Sequence, residues 1–246
     1  MELAWRQRLN HLFSGLFPSR CIFCQQTVGQ AAGQGLEVCP DCYPMLPHNK
    51  ARCVRCALPL AEDIEAAVLC GRCIRKLPAF DYAYSPFRYE DEIIALVHQL
   101  KFSQKIHFSR SIGDMLWQHF SLTGERPDCL LPVALHKSRM RQRGFNQSIE
   151  ISRVLAKKLA IPIEHTVVER QRSTAAQTGL SAKQRQKNIR GAFAVVGELR
   201  YKHVLIIDDV MTTGATVNEL AKLLKKNNVE RVGVLSIARA PVKGYA

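Results

Sequence analysis

No stretch of the 246-residue sequence approaches the roughly 18 consecutive apolar residues that a membrane-spanning helix needs. The N-terminus also lacks the uninterrupted apolar core of a secretory signal, because Glu2, Arg6 and Arg8 place charges within it. Leucine and phenylalanine side chains within residues 3–16 lie near one face of a helix, which predicts an amphipathic helix that docks on the protein itself. We therefore expect a cytoplasmic protein whose cysteine thiols are reduced.

Acidic residues are scarce in relation to basic ones. The chain has 35 Lys and Arg against 21 Asp and Glu, which gives a formal net charge of +14. Such a charge favours polyanionic partners: nucleic acid, phosphorylated metabolites or an anionic membrane surface. The excess is concentrated in Lys137–Arg190, which contains 13 Lys and Arg against three Glu. Charge alone leaves open the alternative that this stretch is a solvated basic face.

Eight of the nine cysteines form four C-x-x-C pairs between residues 21 and 73. Two residues between cysteines allow a tight turn to direct both sulfurs at one ion, and four thiolates at about 2.3 Å complete the closed shell of a structural zinc. Sequential pairing predicts two structural zinc ions, bound by Cys21, Cys24, Cys39 and Cys42 and by Cys53, Cys56, Cys70 and Cys73. The spacing leaves an interleaved pairing open. A disulfide framework is the alternative, and it needs an oxidising compartment that nothing in the sequence indicates.

After Pro127 the pattern changes to short apolar runs separated by helical segments, which is typical of a mostly parallel α/β sheet. The expected strands are Leu130–Ala134, Glu164–Val168, Ala192–Val196, Val204–Ile207 and Arg231–Ile237. The expected helices are Glu90–Phe102, Ile112–Phe120, Asn146–Leu159 and Thr216–Lys226. Alternating aromatic residues predict a strand or hairpin in Phe80–Tyr89. We divide the chain into residues 1–78, with the amphipathic helix and the cysteine module, and residues 79–246, the α/β domain.

The segment Val204–Val217, VLIIDDVMTTGATV, has the strongest site signal. Its apolar strand places Asp208 and Asp209 at its carboxyl end, where α/β folds bind ligands. A turn with three hydroxyls and a glycine then leads into a helix, whose N-terminal N–H groups attract a phosphate; its residues are Thr212, Thr213, Gly214, Ala215 and Thr216. Two carboxylates beside a phosphate are repulsive unless they accept hydrogen bonds from sugar hydroxyls. The combination predicts a ribose 5-phosphate site, and the alternative is an Asp-Asp turn with a threonine cap.

Several segments resemble known proteins. Val204–Val217 is similar to the phosphoribosyl pyrophosphate (PRPP) motif of type I phosphoribosyltransferases. Three further features resemble the ComF/GntX family of phosphoribosyltransferase-like proteins. They are residues 130–148 (LLPVALHKSRMRQRGFNQS), residues 177–193 (QTGLSAKQRQKNIRGAF), and the double cysteine module followed by Lys101 in QLKF. The resemblance covers nearly the whole chain. It implies a type I phosphoribosyltransferase-like, mostly parallel sheet with helices on both faces, and a small N-terminal double zinc-ribbon module.

The resemblance also implies roles for individual residues. Asp208 and Asp209 are the candidate catalytic residues and bind the ribose hydroxyls, while Thr212–Thr216 binds the 5-phosphate. The loop after the strand Leu130–Ala134 corresponds to the pyrophosphate loop of the fold. That correspondence makes three basic residues candidates for the diphosphate, together with Mg²⁺: Lys137, Arg139 and Arg143.

A second loop is implied at Gln177–Gly191, where related enzymes have a mobile loop that closes over PRPP. Arg185 and Arg190 are expected to bring further positive charge from this lid. For each basic residue, a solvated surface position stays open as the alternative.

The ComF/GntX family is linked to bacterial competence, DNA uptake and the use of extracellular DNA as a nutrient. The resemblance therefore implies a DNA-uptake or DNA-utilisation protein that binds PRPP and works with proteins of the uptake machinery. Together with the basic stretch Lys137–Arg190, it predicts contact with single-stranded DNA in the cytoplasm. Two alternatives stay open: a metabolic phosphoribosyltransferase that acts on a base or amine, and a PRPP-responsive regulator. The sequence shows no base-binding hood and no glutamine-hydrolysing domain, so it does not identify an acceptor or decide whether a transfer occurs.

Overall fold

The computed structural model describes residues 19–28, 36–61, 67–102, 105–172 and 182–241, except the side chains of residues 102, 182, 183, 185 and 186. The amphipathic helix expected within residues 3–16 lies outside the described residues. The chain divides into two compact units, residues 1–46 and residues 47–246, and each is considered by itself.

The smaller unit contains the first four cysteines of the C-x-x-C pattern. A tight turn begins at Cys21, whose N–H donates to the Gln26 carbonyl at 2.8 Å and whose carbonyl accepts from the Gln25 N–H at 2.9 Å. Gln25 adopts the left-handed backbone conformation, with φ of 63°, which closes the turn. Helix α1 (Cys42–Met45) contains the last of the four cysteines.

The larger unit is built on a five-stranded sheet in which every described strand pairing is parallel. The order is β1–β7–β6–β3, and β2 also pairs with β7. An antiparallel hairpin of β4 and β5 lies outside this sheet. The strands are β1 (Tyr82–Tyr84), β2 (Phe87–Arg88), β3 (Cys129–Pro132), β4 (Val168–Arg170), β5 (Phe193–Val195), β6 (His203–Met211) and β7 (Arg231–Arg239). The predicted mostly parallel sheet is therefore confirmed.

Helices cover both faces of the sheet, as expected. Val204 and Ile206 of β6 belong to a buried hydrophobic cluster that also contains Val217 and Leu220. Leu205 and Ile207 of β6 are just as deeply buried, but they are not part of that cluster. Successive strand residues point to opposite faces, so each face has its own apolar layer. None of the helices among the described residues is both long and apolar enough to cross a bilayer. The helices are α2 (Gly71–Arg75), α3 (Asp91–Phe102), α4 (Phe108–Phe120), α5 (Lys137–Arg143), α6 (Gln147–Leu159), α7 (Ala182–Ile189) and α8 (Ala215–Lys226), with a 3₁₀ turn at Ser121–Thr123.

The expected strand at Val204–Ile207 is longer than predicted. Strand β6 continues to Met211 because β7 pairs with it in register as far as Met211 and Arg239. Asp208 and Asp209 therefore lie within the strand, rather than immediately after it.

Two other expected strands differ in their partners. Residues 80–89 form β1 and β2, which both pair in parallel with β7, so the hairpin alternative was wrong. The strand expected at Glu164–Val168 contributes only its last residue to β4, which pairs antiparallel with β5 instead of joining the main sheet.

The second group of cysteines packs within the larger unit. Cys53, Cys56, Cys70 and Cys73 are buried and belong to the same hydrophobic cluster as Met211 of β6 and Val217 of α8. Because these cysteines pack in that cluster, this half of the cysteine module is part of the unit that contains the sheet. The division into modules 1–78 and 79–246 stays a prediction about sequence modules.

Candidate functional site

Asp208 and Asp209 lie near the carboxyl end of β6, where the central strand of the sheet approaches its loop. The Asp209 N–H donates to the Asp208 carboxylate at 2.9 Å, and the Val210 N–H donates to the Asp209 carboxylate at 2.6 Å. Asp209 is 8% exposed, and Asp208 is partly exposed. Backbone donors therefore fix the orientation of both carboxylates while leaving acceptor lone pairs for a ligand.

Lys101, on the last turn of α3, forms an ion pair with Asp209 at 2.9 Å. Burial opposes the charged ammonium, but the Asp209 carboxylate outweighs it and raises the pKa of Lys101. Burial, and then the neighbouring Asp209 carboxylate, raise the pKa of Asp208 to about 7. One acid of the pair is thus neutralised by a lysine, while the other titrates near neutral pH.

Two arginines, Arg143 and Arg170, interact with this acid pair, and Arg139 lies near both of them. Burial lowers the pKa of Arg143, the Asp209 carboxylate counteracts that effect, and Arg139 adds repulsion. Burial and the charge of Arg139 likewise lower the pKa of Arg170, which interacts with the Asp208 carboxylate. Together with Lys101, three cationic side chains therefore interact with the two carboxylates, so positive charge exceeds negative charge at the site.

Lys137, Arg139 and Arg143 lie on a helix, α5, rather than in the loop that the sequence predicted; the connection after β3 is only residues 133–136. The helix begins at the His136 side chain, which accepts from the Ser138 N–H at 3.2 Å. Arg139 and Arg143 are four residues apart and therefore share one face. Lys137 is exposed, and no interaction described here joins it to the acids. The structure thus brings Arg143 to the acid pair and places Arg139 near Arg143 and Arg170, the two arginines that interact with the acids.

The turn between β6 and α8 has the geometry that favours an anion. Gly214 adopts φ of 75° and is the residue before α8, where it offers no side-chain acceptor to the first helical N–H groups. The Thr213 hydroxyl accepts from the Ala215 N–H at 3.3 Å. Thr212, Thr213, Ala215 and Thr216 are all partly exposed. The positive end of the α8 dipole therefore faces the loop beside the two carboxylates.

The expected lid is described only from residue 182 onward. Residues 177–181 and the Arg185 side chain lie outside the description, so the lid stays a prediction. Arg190 is exposed, and its carbonyl accepts from Arg172. The Gly191 N–H donates to Glu219 of α8 at 2.8 Å, so the end of this segment is tied to the helix that follows the turn Thr212–Gly214.

Sequence analysis did not identify Arg170 as a site residue. It is the last residue of β4, in which Val168 and Arg170 are buried and Glu169 between them is exposed. The Arg170 side chain therefore lies on the same side of the strand as Val168. An arginine at an inward strand position was the available signal, because a charged side chain is seldom buried without a function or partner. Phe108 and Phe145 are buried in the core, so neither offers an exposed ring on which a nucleic-acid base could stack.

The eight cysteines form two tetrads, and the pairing is sequential. Within each tetrad all four sulfurs lie within 4.8 Å of one another; the tetrads are Cys21, Cys24, Cys39 and Cys42, and Cys53, Cys56, Cys70 and Cys73. The Cys24 and Cys39 sulfurs are 3.7 Å apart in the first tetrad, and the Cys56 and Cys70 sulfurs are 3.6 Å apart in the second. A tetrahedral zinc–thiolate shell places its sulfurs about 3.8 Å apart, and a disulfide only about 2.05 Å. The donor sets therefore fit zinc, and the disulfide alternative is excluded for them.

Backbone N–H groups support the sulfurs in both tetrads. The Cys42 N–H lies 3.4 Å from the Cys39 sulfur, and the Cys70 N–H lies 3.3 Å from the Cys53 sulfur. The turn at Cys53 repeats the turn at Cys21, including a residue in the left-handed conformation, Ala57, with φ of 53°. The Cys56 thiol, together with backbone donors, lowers the pKa of Cys53 to about 4. Such donors stabilise the thiolates that a zinc ion needs.

Comparisons with known proteins agree with this architecture. Residues 145–245 match the model of the phosphoribosyl transferase domain, and residues 12–77 match that of the double zinc ribbon domain. Competence protein F of Haemophilus influenzae is 32% identical over 232 residues, which are 91% of this chain and 98% of that protein. DNA utilization protein YhgH of Salmonella typhimurium is 33% identical over 227 residues, 90% of this chain and 97% of that protein.

Solved structures give a weaker likeness. A glutamine PRPP amidotransferase from B. subtilis, complexed with ADP and GMP, is 19% identical and has a TM-score of 0.36 over 52% of this chain and 26% of that chain. A score this low informs neither the fold nor the site. The relatives, by contrast, are matched over almost their full length, and this chain matches both domain models. The chain therefore belongs to the ComF/GntX family of phosphoribosyltransferase-like proteins with an N-terminal double zinc ribbon.

Proposed function

We propose that the larger unit binds PRPP together with Mg²⁺ at the end of β6 and the start of α8. The observation that supports this most is the acid pair Asp208 and Asp209, which backbone donors hold in place and which interacts with three cationic side chains, Lys101, Arg143 and Arg170. A ligand for this site needs hydroxyl donors for the carboxylates and several negative charges for the cations. PRPP meets both requirements with its ribose hydroxyls, 5-phosphate and diphosphate.

Each part of the site has one proposed role. Asp208 and Asp209 accept hydrogen bonds from the ribose hydroxyls, and the turn Thr212–Thr216 binds the 5-phosphate through its hydroxyls and the N–H groups at the start of α8. Arg139 and Arg143 face the diphosphate. Their positive charge is preorganised where negative charge grows if the diphosphate leaves. Mg²⁺ would supply additional charge neutralisation on the diphosphate oxygens.

The protein as a whole is proposed to act in DNA uptake or in the use of DNA as a nutrient, with direct contact to single-stranded DNA. The names of the relatives, competence protein F and DNA utilization protein, support the process. The net charge of +14 supports a polyanionic partner. On α5, Lys137 and Arg141 are both exposed and lie four residues apart, so they share a solvent-facing side of the helix. This basic face is the proposed DNA contact.

Isothermal titration calorimetry with PRPP and Mg²⁺ tests the ligand. Asp209→Asn removes a charged acceptor from the ribose hydroxyls and should weaken binding about 10- to 150-fold, since a hydrogen bond to a charged group contributes about 1.5–3 kcal/mol. The matched control is Asp114→Asn, because Asp114 is also buried and also pairs with a lysine, Lys158, at 2.9 Å. The control should bind PRPP like the wild-type protein. Wild-type protein that binds no PRPP at millimolar concentration, or equal losses in both variants, would contradict the proposal.

Salt titrations with single-stranded DNA test the second partner. Two double variants on α5 change the charge by the same amount: Lys137→Glu with Arg141→Glu, and Arg139→Glu with Arg143→Glu. The first should flatten the log–log salt slope by about 1.4, since each lost phosphate contact removes about 0.7, and should leave PRPP binding unchanged. The second should abolish PRPP binding. No binding of the wild-type protein to single strands at low salt, or equal effects of the two variants on both ligands, would refute the separation of the two faces.

A further inference from the structure

Arg239, the last residue of β7, is buried in an unusual way. Its side chain is 2% exposed, and none of the ion pairs among the described residues involves it. Instead it donates to backbone carbonyls of two separate segments: its Nε to Cys56 at 3.0 Å, and one terminal nitrogen to Met211 at 2.9 Å and to Thr212. One guanidinium therefore joins a turn of the second cysteine tetrad to the loop that follows β6.

A buried guanidinium needs a compensating negative charge, because desolvation of an ion is costly. The nearby anionic groups are the sulfurs of the second tetrad, since Cys56 and Cys70 are the groups that favour the charged form of Arg239. A zinc ion with four thiolates has two positive and four negative charges, a net charge of −2. The loaded tetrad can thus supply the charge that Arg239 lacks elsewhere.

A second contact ties the same two regions together. The Ala79 N–H, just after the second tetrad, donates at 2.7 Å to the side chain of Asn218 on the first turns of α8. The N–H of Asn218 in turn donates to the Gly214 carbonyl at 2.9 Å. The proposed phosphate loop is the turn Met211–Gly214 between β6 and α8. Both of its ends are therefore connected to the segment that contains the second tetrad.

We propose that Arg239 is a positioning residue that couples the second zinc site to the phosphate loop, so that loss of zinc from this site loosens Met211–Gly214. The inference rests on the proposed function only where PRPP is concerned. The planar fork of arginine reaches carbonyls on two sides at once, which a single lysine ammonium does not. By linkage, zinc in the second tetrad strengthens PRPP binding by the same factor by which PRPP strengthens zinc retention.

Hydrogen–deuterium exchange on the full chain tests the coupling without PRPP. Arg239→Lys, with both zinc ions retained by elemental analysis, should accelerate exchange in the peptide covering residues 208–220 at least tenfold. Arg231→Lys is the matched control, because it makes the same change at the opposite end of β7, where Arg231 pairs with Glu125. Its exchange in that peptide should match the wild type. Unchanged exchange in Arg239→Lys, or equal acceleration in both variants, would overturn the proposal.

The reciprocal measurement uses the wild-type protein and so does not depend on a variant that folds. A chelator and a thiol-alkylating reagent are added with and without PRPP and Mg²⁺, and peptide mapping assigns each modified cysteine. PRPP should slow modification of Cys53, Cys56, Cys70 and Cys73 about tenfold and should leave the first tetrad unchanged. Equal protection of both tetrads by PRPP would overturn the coupling. So would a lack of protection of either tetrad when calorimetry shows that PRPP is bound. If calorimetry shows no bound PRPP, the proposed function fails and the exchange measurement decides the role of Arg239 alone.

Discussion

Replacing Asp208 with asparagine should make the protein more stable and its proposed site weaker. Burial and the Asp209 carboxylate raise the pKa of Asp208 from 3.8 to about 7 in the folded state. The folded state therefore retains this proton more readily than the unfolded state between about pH 4 and pH 7. Folding stability contributed by Asp208 is greatest below about pH 4, falls as the pH rises through 7, and is constant above that. Asparagine removes the penalty because it does not ionise.

The size of the effect follows from the same shift. About three pKa units at about 1.36 kcal/mol each set an upper bound of about 4 kcal/mol at pH 8. Asp208 is partly exposed, so solvent screening reduces the gain. We expect about 1–2 kcal/mol, which raises the melting temperature by about 2–8 °C for a domain of this size.

Melting temperatures of the ligand-free protein at pH 5, 6, 7 and 8 provide the assay. The difference between Asp208→Asn and the wild type should increase from pH 5 to pH 7 and then level off. PRPP affinity should increase with pH through about 7 in the wild type, as the Asp208 carboxylate forms, and this Asp208 contribution should be absent in the variant. Asp114→Asn is the control and should lower the melting temperature, because it leaves Lys158 without its partner. A variant that is less stable than the wild type at pH 8, or a difference independent of pH, would refute the reasoning.

The zinc sites yield two further predictions. Elemental analysis should find two zinc ions per chain, because two closed tetrads are present, and a content of one or none would show that a tetrad is not a metal site. Cys39→Ser and Cys70→Ser should each release one zinc but differ in consequence: the first should leave the melting of the larger unit unchanged, and the second should lower it by more than 10 °C in calorimetric scans. The difference is expected because Cys70 lies in the core cluster of the sheet, and structural zinc contributes about 10–16 kcal/mol to folding. Equal melting of the two variants would show that the second tetrad does not support the sheet.

Features that depend on local spacing were predictable from the sequence. Four C-x-x-C pairs predict tight turns with converging sulfurs, and the structure shows such turns at Cys21 and Cys53. Likewise, an apolar run followed by two acids, threonines and glycine predicts a strand, a loop and a helix. The structure places β6 and α8 there, with Gly214 in the left-handed conformation.

Features that depend on distant partners were not predictable. Strand β6 extends past the acids only because β7, some 28 residues later, pairs with it to its end. The basic residues after β3 form a helix instead of a loop, since the His136 side chain caps it and Gly144 ends it. Nothing in the local pattern assigns Arg170 to the acid pair or Arg239 to the turn at Cys56, because both contacts depend on tertiary packing.

The most direct test of the central claim is a crystal structure of the full chain with PRPP and Mg²⁺. We expect the 5-phosphate to lie against the backbone of Thr212–Thr216 and the ribose hydroxyls to lie within hydrogen-bond distance of Asp208 and Asp209. We also expect the diphosphate to lie toward Arg139 and Arg143. PRPP bound elsewhere on the chain, or an empty loop in crystals grown at millimolar PRPP, would contradict it.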